Sequence, residues 1–241
     1  MPIKKALCQL VWIEAIKEIS SVNAELVSFL ENFEREYKVL TGTEKPYISK
    51  KAHISDQAEI EGLVYIEDDV TVQPFAHIKG PVIIRKGTLI GKSAFVRDGT
   101  YIGRYTIIGH SSEIINSIVM DHSSIAHFNT ITKSIVGNYV NFSSYASTSS
   151  FNLNESITDN GDGVKKRIFL NQKEFVLTQH KFGSIVGDGG RIGAYSMMYP
   201  GVTLGRNCLV LPHLMIREGF YPDNTELYLK DYYSHTIERK R

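Results

Sequence analysis

Histidine is the side chain best suited to exchange protons near neutral pH. This chain of 241 residues holds eight: His53, His77, His110, His122, His127, His180, His213 and His235. Their spacing fits no metal-ligand pattern. Cys8 and Cys208 are far apart and lack a C-x-x-C, so they suggest neither a zinc site nor a disulfide framework. His127 stands out because a repeat in the sequence slips around it, between Ile125 and Ile131, and a distorted segment can turn a side chain outward. An imidazole so placed is a candidate general base; the plainer alternative is that its ring stacks in a subunit contact. Arg97 can hold a phosphate through a bidentate fork or simply be solvated. Lys165, Lys166 and Arg167 form a charge run, which usually means a solvated loop. Cys208 reads as a small packed hydrophobe rather than a nucleophile.

The element that must position these groups is a repeat of six. Every sixth residue from Ile48 is Ile or Val: Ile54, Ile60, Ile66, Val72, Ile78, Ile84, Ile90, Val96, Ile102, Ile108 and Ile114. Neither a helix, with period 3.6, nor an alternating strand, with period 2, repeats in this way. Hexapeptides predict a parallel β-helix, three to a coil, with coils stacked roughly 4.8 Å apart. The residue four places after each aliphatic is small or β-branched, as at Ala76, Thr88 and Thr106. Glycine follows the aliphatic at Gly91, Gly103, Gly109, Gly137, Gly187, Gly193 and Gly205, which suits corners that turn sharply or need φ > 0. The register slips after Ile114, recovers at Val136 and Phe142, lapses from Ser149 to about Phe182, and returns at Val186, Ile192, Met198, Leu204, Val210 and Ile216.

The expected fold is therefore mainly β: a left-handed parallel β-helix of hexapeptide repeats over residues 46–217, with a long loop at about 149–183. Residues 1–45 are expected to form an α-helical segment, because apolar residues recur on one face from Leu7 to Tyr37. That segment is expected to cap the first coil or make oligomer contacts, with Trp12 in a core or interface. The tail, 218–241, is expected to pack back on the outside. Hydrophobic content of 42% is ample for a core. A net charge of +1 from 27 basic and 26 acidic residues gives no field that would draw nucleic acid or an anionic membrane. Polar residues such as Gln9 and Glu14 interrupt the amino-terminal apolar run too early for a secretion signal. No run reaches the roughly 18 apolar residues of a membrane span. The chain is expected in the cytoplasm, with no nucleic-acid or membrane partner.

A hexapeptide β-helix resembles the left-handed β-helix acyltransferases. More specifically, GTYIGRYTIIGHSSEIINSIVMDHSSIAHFNTITKSIVGNYVNF, together with KFGSIVGDGGRIGAYSMMYPGVTLG, resembles the carboxyl-terminal acetyltransferase domain of bifunctional sugar-1-phosphate nucleotidylyltransferases, the glucosamine-1-phosphate N-acetyltransferase type. The resemblance implies a homotrimer with sites between subunits. It implies acetyl-CoA as co-substrate, no metal requirement, and an acceptor that is an amino-sugar phosphate or related sugar. By the same resemblance His127 is the catalytic base, Arg97 binds sugar phosphate and Asn141 binds substrate. The family's phosphate-binding lysine falls at Ile115, its substrate tyrosine at Thr130, and its G-A-G-T at Ser143 to Ala146. Lys165 and Lys166 are candidates to replace the lysine, and Arg191, Arg206 and Arg217 to bind the coenzyme phosphates. The family's nucleotidyltransferase half is not expected here. The alternatives are an acyltransferase using a sugar nucleotide or hydroxyl acceptor, and a catalytically silent β-helix used for assembly or regulation.

Overall fold

The structure, a computed structural model, describes residues 37–38, 41–151, 167–170, 173–176 and 181–229. Strands of two or three residues wind into a stack of parallel coils with three sides. Side A holds nine strands from Tyr47–Ile48 to Gly219–Tyr221, and side B nine from His53–Ile54 to Glu226–Leu227. Side C holds eight, from Glu59–Glu61 to Met215–Ile216. The chain visits A, B and C in turn, so each strand pairs with its equivalents one coil below and above. On side A, for example, Ile48 lies beside Ile66, Ile66 beside Ile84, and Ile84 beside Ile102. The six-spaced aliphatics thereby fill one continuous core, with Ile66, Ile78, Ile90, Ile102, Ile108 and Ile114 fully buried. The small residues four places on turn inward at the corners. Where they carry hydroxyls, these close backbone acceptors of the next coil: Thr88 Oγ1 donates to the Gly103 carbonyl at 2.6 Å and Thr106 Oγ1 to that of Met120 at 2.9 Å.

Two expectations change. Positive φ falls not on the glycine after the aliphatic but two residues later, in three of the seven cases on a tyrosine: Tyr105 (φ 52°), Tyr139 (φ 56°) and Tyr195 (φ 58°). Glycine is needed where it stands because a Cβ would strike the next coil; at Gly103 it would lie 2.5 Å from the Met120 carbonyl carbon. The register slip is also not at His127. Ile125 to Ile131 is a regular six, and the chain is one residue short at the C–A corner, from Ile114 to Val119 and from Ile131 to Val136. There the single positive-φ residues Asn116 and Lys133 do the turning that Asp98 and Gly99 share in the coil below.

Side A is apolar on both faces. Ile83, Tyr101, Ile118, Ile135 and Ile185 are buried yet lie outside the inner core. Parallel sheets covered on both sides carry such continuous apolar runs. Helical Tyr37 meets the Tyr65 ring edge-on at 6.3 Å on this side. Lys38 and Thr41 are helical too, residues 42–45 of the expected segment are not, and its remainder, Trp12 included, lies outside the described residues. The long insertion enters at the C–A corner and contains an antiparallel hairpin, Arg167–Leu170 with Lys173–Val176, whose first strand runs beside Val202–Leu204 and Gly219–Tyr221. Coiling continues past Arg217, because Gly219–Tyr221 and Glu226–Leu227 extend sides A and B; residues beyond 229 lie outside the described set. No described helix is long and apolar enough to cross a membrane.

Candidate functional site

The corner between sides B and C gathers the reactive side chains. Each coil presents two outward residues there, the second in the left-handed region: His110–Ser111, His127–Phe128, Ser144–Tyr145, Ala194–Tyr195 and Pro212–His213. That conformation costs a bulky side chain of order 1–3 kcal/mol. Stacking offsets part of the cost, since each ring lies flat on the next: Phe128 on Tyr145 at 4.9 Å, Tyr145 on Tyr195 at 4.8 Å, and Tyr195 on His213 at 5.2 Å. Buried Asn129 fastens the coil of His127 to the one above, its Nδ2 donating to the Ser143 carbonyl at 2.6 Å and the Ala146 carbonyl at 2.8 Å.

His127 is exposed on this corner. Its ring centroid lies 4.6 Å from that of His110, tilted by 34°, and Phe128 meets His110 edge-on. Among the described residues neither nitrogen of His127 is engaged in a hydrogen bond. The ring is held by contact with its neighbours rather than by a hydrogen bond. Its outward aim comes from the regular corner position it shares with His110, not from a local distortion.

Asn141 sits on side B one coil above Ser124–Ile125, the strand leading to His127, and Arg191 pairs with it from the coil above that. Both therefore stand on side B, whose chain runs on into the corner that carries His127. Arg97 lies elsewhere, at the far end of its side C strand and two coils below Thr130–Thr132, the strand after His127. It is ion-paired with Asp98 and with Glu113, whose Oε1 accepts from Arg97 Nε at 3.0 Å. Burial opposes its charge, but these carboxylates outweigh that and raise its pKa. Glu113 is thereby committed to Arg97. The three candidate phosphate arginines do not converge within one chain. Arg191 is on side B, Arg206 follows side A and pairs with Asp223 at 2.9 Å, and Arg217 follows side C. Lys165 and Lys166 lie outside the described residues.

Cys208 is buried, with Sγ 3.2 Å from the Pro222 carbonyl, and burial raises its pKa, as expected of a packed thiol. Glu59, Glu61 and His77 bring ligand atoms within 4.8 Å of one another on side C, though Glu61 is already bonded to His77 and Lys79. Sequence reading assigned no role to His110. The signal was a 17-residue offset from His127, which becomes meaningful only once the shortened coil is known.

Residues 78–183 match a family model described as the GMPPB C-terminal domain. The chain is 31% identical over 127 residues to the bifunctional protein GlmU of Methanococcus vannielii, covering 50% of this chain and 28% of that one. GlmU of Methanocaldococcus jannaschii is 30% identical over 122 residues, covering 51% and 28%. The match thus spans little more than a quarter of these relatives' length. Among solved structures, a UDP-N-acetylglucosamine acyltransferase from Campylobacter jejuni aligns at 16% identity and TM-score 0.30, over 71% of this chain and 68% of that one. A Caulobacter crescentus perosamine N-acetyltransferase mutant, in complex with CoA and GDP-perosamine, aligns at 12% and TM-score 0.27, over 76% and 52%. The stretch from Thr100 to Phe142 that carries the sequence resemblance falls inside the matched domain. The chain carries a hexapeptide-repeat parallel β-helix whose sequence is similar to the bifunctional GlmU proteins and, over residues 78–183, to the GMPPB C-terminal domain.

Proposed function

We propose that the protein is an acyltransferase that moves an acetyl group from acetyl-CoA to the amine of an amino-sugar phosphate or related sugar, with His127 as general base. The observation that carries this reading is an exposed imidazole with unengaged nitrogens, held against a second imidazole, at the end of the side that carries Asn141 and Arg191. Similarity to GlmU supports the reaction class. The amine nitrogen attacks the thioester carbonyl carbon as His127 takes its proton. The new N–C bond forms, the C–S bond breaks, and the proton passes from His127 to the departing sulfur, leaving a free thiol. Asn141 is suited to a sugar hydroxyl and Arg191 to a phosphate. Arg191, Arg206 and Arg217 lie on different sides, which is compatible with a coenzyme groove between chains, and the proposed assembly is a homotrimer in the cytoplasm. A hydroxyl acceptor is the second reading, favoured by Ile115 and Thr130 where the resembling family has lysine and tyrosine.

The test is thiol release from acetyl-CoA with a panel of amino-sugar phosphates and sugar nucleotides. Turnover that falls at least a hundredfold in His127→Ala, at unchanged melting temperature, supports the mechanism. Full turnover in that variant removes the base, and no turnover with any acceptor favours a silent scaffold.

A further inference from the structure

A second site lies at a different corner. Between sides A and B of the early coils, Tyr47, Tyr65, Glu67, Asp68, Lys86, Arg104 and Tyr105 line a groove of about 510 Å³, within the usual range for small-molecule pockets. His127 belongs to the B–C corner and takes no part in it. Gly87 shapes one wall: its φ is +72°, and its missing side chain lets the Tyr105 ring lie against the backbone, where a Cβ would meet Tyr105 Cε1 at 2.6 Å. Above, Tyr105 is backed by His122 at 5.3 Å and His122 by Tyr139 at 4.9 Å, so the wall is braced from one side.

The groove's charges are not all satisfied alike. Asp68 accepts from Ser49 Oγ at 2.5 Å and Lys51 Nζ at 2.9 Å, and these partners hold its carboxyl below the usual range. Glu67 accepts from the Lys86 backbone N–H at 2.8 Å and pairs with Arg85 at 3.1 Å. Both carboxylates are fixed by these partners, with one acceptor position still open on each oxygen. Lys86 Nζ is 3.3 Å from Asp69. The Arg104 guanidinium has no hydrogen bond or ion pair among the described residues, and neither do the hydroxyls of Tyr47, Tyr65 and Tyr105. Arg104 and Tyr105 are exposed, Tyr105 by 50%. The groove therefore offers fixed acceptors for hydroxyl groups, free phenols, an aromatic wall and one uncommitted fork for an anion.

We infer that this groove binds a phosphorylated saccharide, its hydroxyls accepted by Glu67 and Asp68 and its phosphate held by Arg104. The site is separate from the acyl-transfer centre and stands whether or not that reaction is catalysed. Calorimetric titration of the whole protein with glucose 1-phosphate, UDP-glucose, glucose and inorganic phosphate tests it, the first two distinguishing a simple sugar phosphate from a nucleotide-linked one. The expected result is binding of at least one phosphorylated sugar, tenfold or more tighter than glucose or phosphate alone. Arg104→Gln and Tyr105→Ala, both surface changes, each weaken it at least tenfold, and His127→Ala leaves it unchanged. Circular dichroism confirms that each variant is folded. Absence of binding, equal binding of phosphate alone, indifference to Arg104→Gln, or loss in His127→Ala would each overturn the assignment.

Discussion

A methyl group placed at Gly91 or Gly109 tests the coil register directly beneath the corner that carries His127. Neither residue has positive φ, so alanine meets no backbone strain of its own. At Gly91 the added Cβ would lie 2.8 Å from the Gly109 carbonyl carbon and from the His110 nitrogen, and 2.9 Å from the Ile108 carbonyl oxygen. The coil that carries His110 must rise by roughly half an ångström, an overpacking that costs about 1–3 kcal/mol. At Gly109 the methyl would overlap the Ala126 carbonyl oxygen, in the peptide unit leading into His127, and no small adjustment relieves it. Gly109→Ala should therefore cost well over 3 kcal/mol. At about 2–4 °C per kcal/mol for a domain of this size, Gly91→Ala lowers the melting temperature by about 2–12 °C, and Gly109→Ala lowers it further or prevents folding. Circular dichroism melts and urea titrations read both. The opposite sign is the informative failure: if these glycines serve only flexibility, alanine would stabilise by about 0.4–1 kcal/mol through the unfolded chain. Stabilisation, or equal small effects at the two positions, would refute the stacking register.

Two further outcomes follow from the same geometry. Asn129→Ala removes two bonds to buried carbonyls and should cost about 1–3 kcal/mol in urea titration, whereas a neutral result would mean that Asn129 does not fasten the coils. Tyr101 is buried on side A, and burial pushes its hydroxyl up to about 12 from 10.0. Because the folded value lies above the unfolded one, its contribution is intact below pH 10 and is lost as pH rises from there towards 12. That loss is worth about 2–3 kcal/mol, and Tyr101→Phe should shrink the alkaline decline in stability.

The period of six made the core legible, because an inward aliphatic on every face of a three-sided coil leaves no other placement for Ile48 to Ile114. Coil lengths were harder to read. Ile118 and Val119 are both apolar, and only pairing shows that Val119 points inward while Ile118 joins the buried outer row of side A. That ambiguity moved the slip to His127 in the sequence reading and hid the equivalence of His110 and His127. Arg97 was legible as a phosphate fork or a solvated arginine but not as one already held by Glu113, because their contact crosses from one coil to the next, 16 residues apart. The groove around Arg104 was invisible for the same reason, its lining being drawn from four successive turns of the chain. Ring columns at the corners obey no hexapeptide rule, since they depend on which residue takes the left-handed turn.

The proposed reaction depends on His127 presenting its imidazole to an acyl donor at the B–C corner. A structure determined with coenzyme A bound measures this directly. The coenzyme sulfur is expected at that corner, close enough to His127 for a substrate amine to sit between them, with Asn141 and Arg191 facing the same space. A coenzyme seated along another edge, with its sulfur out of reach of His127, would contradict it.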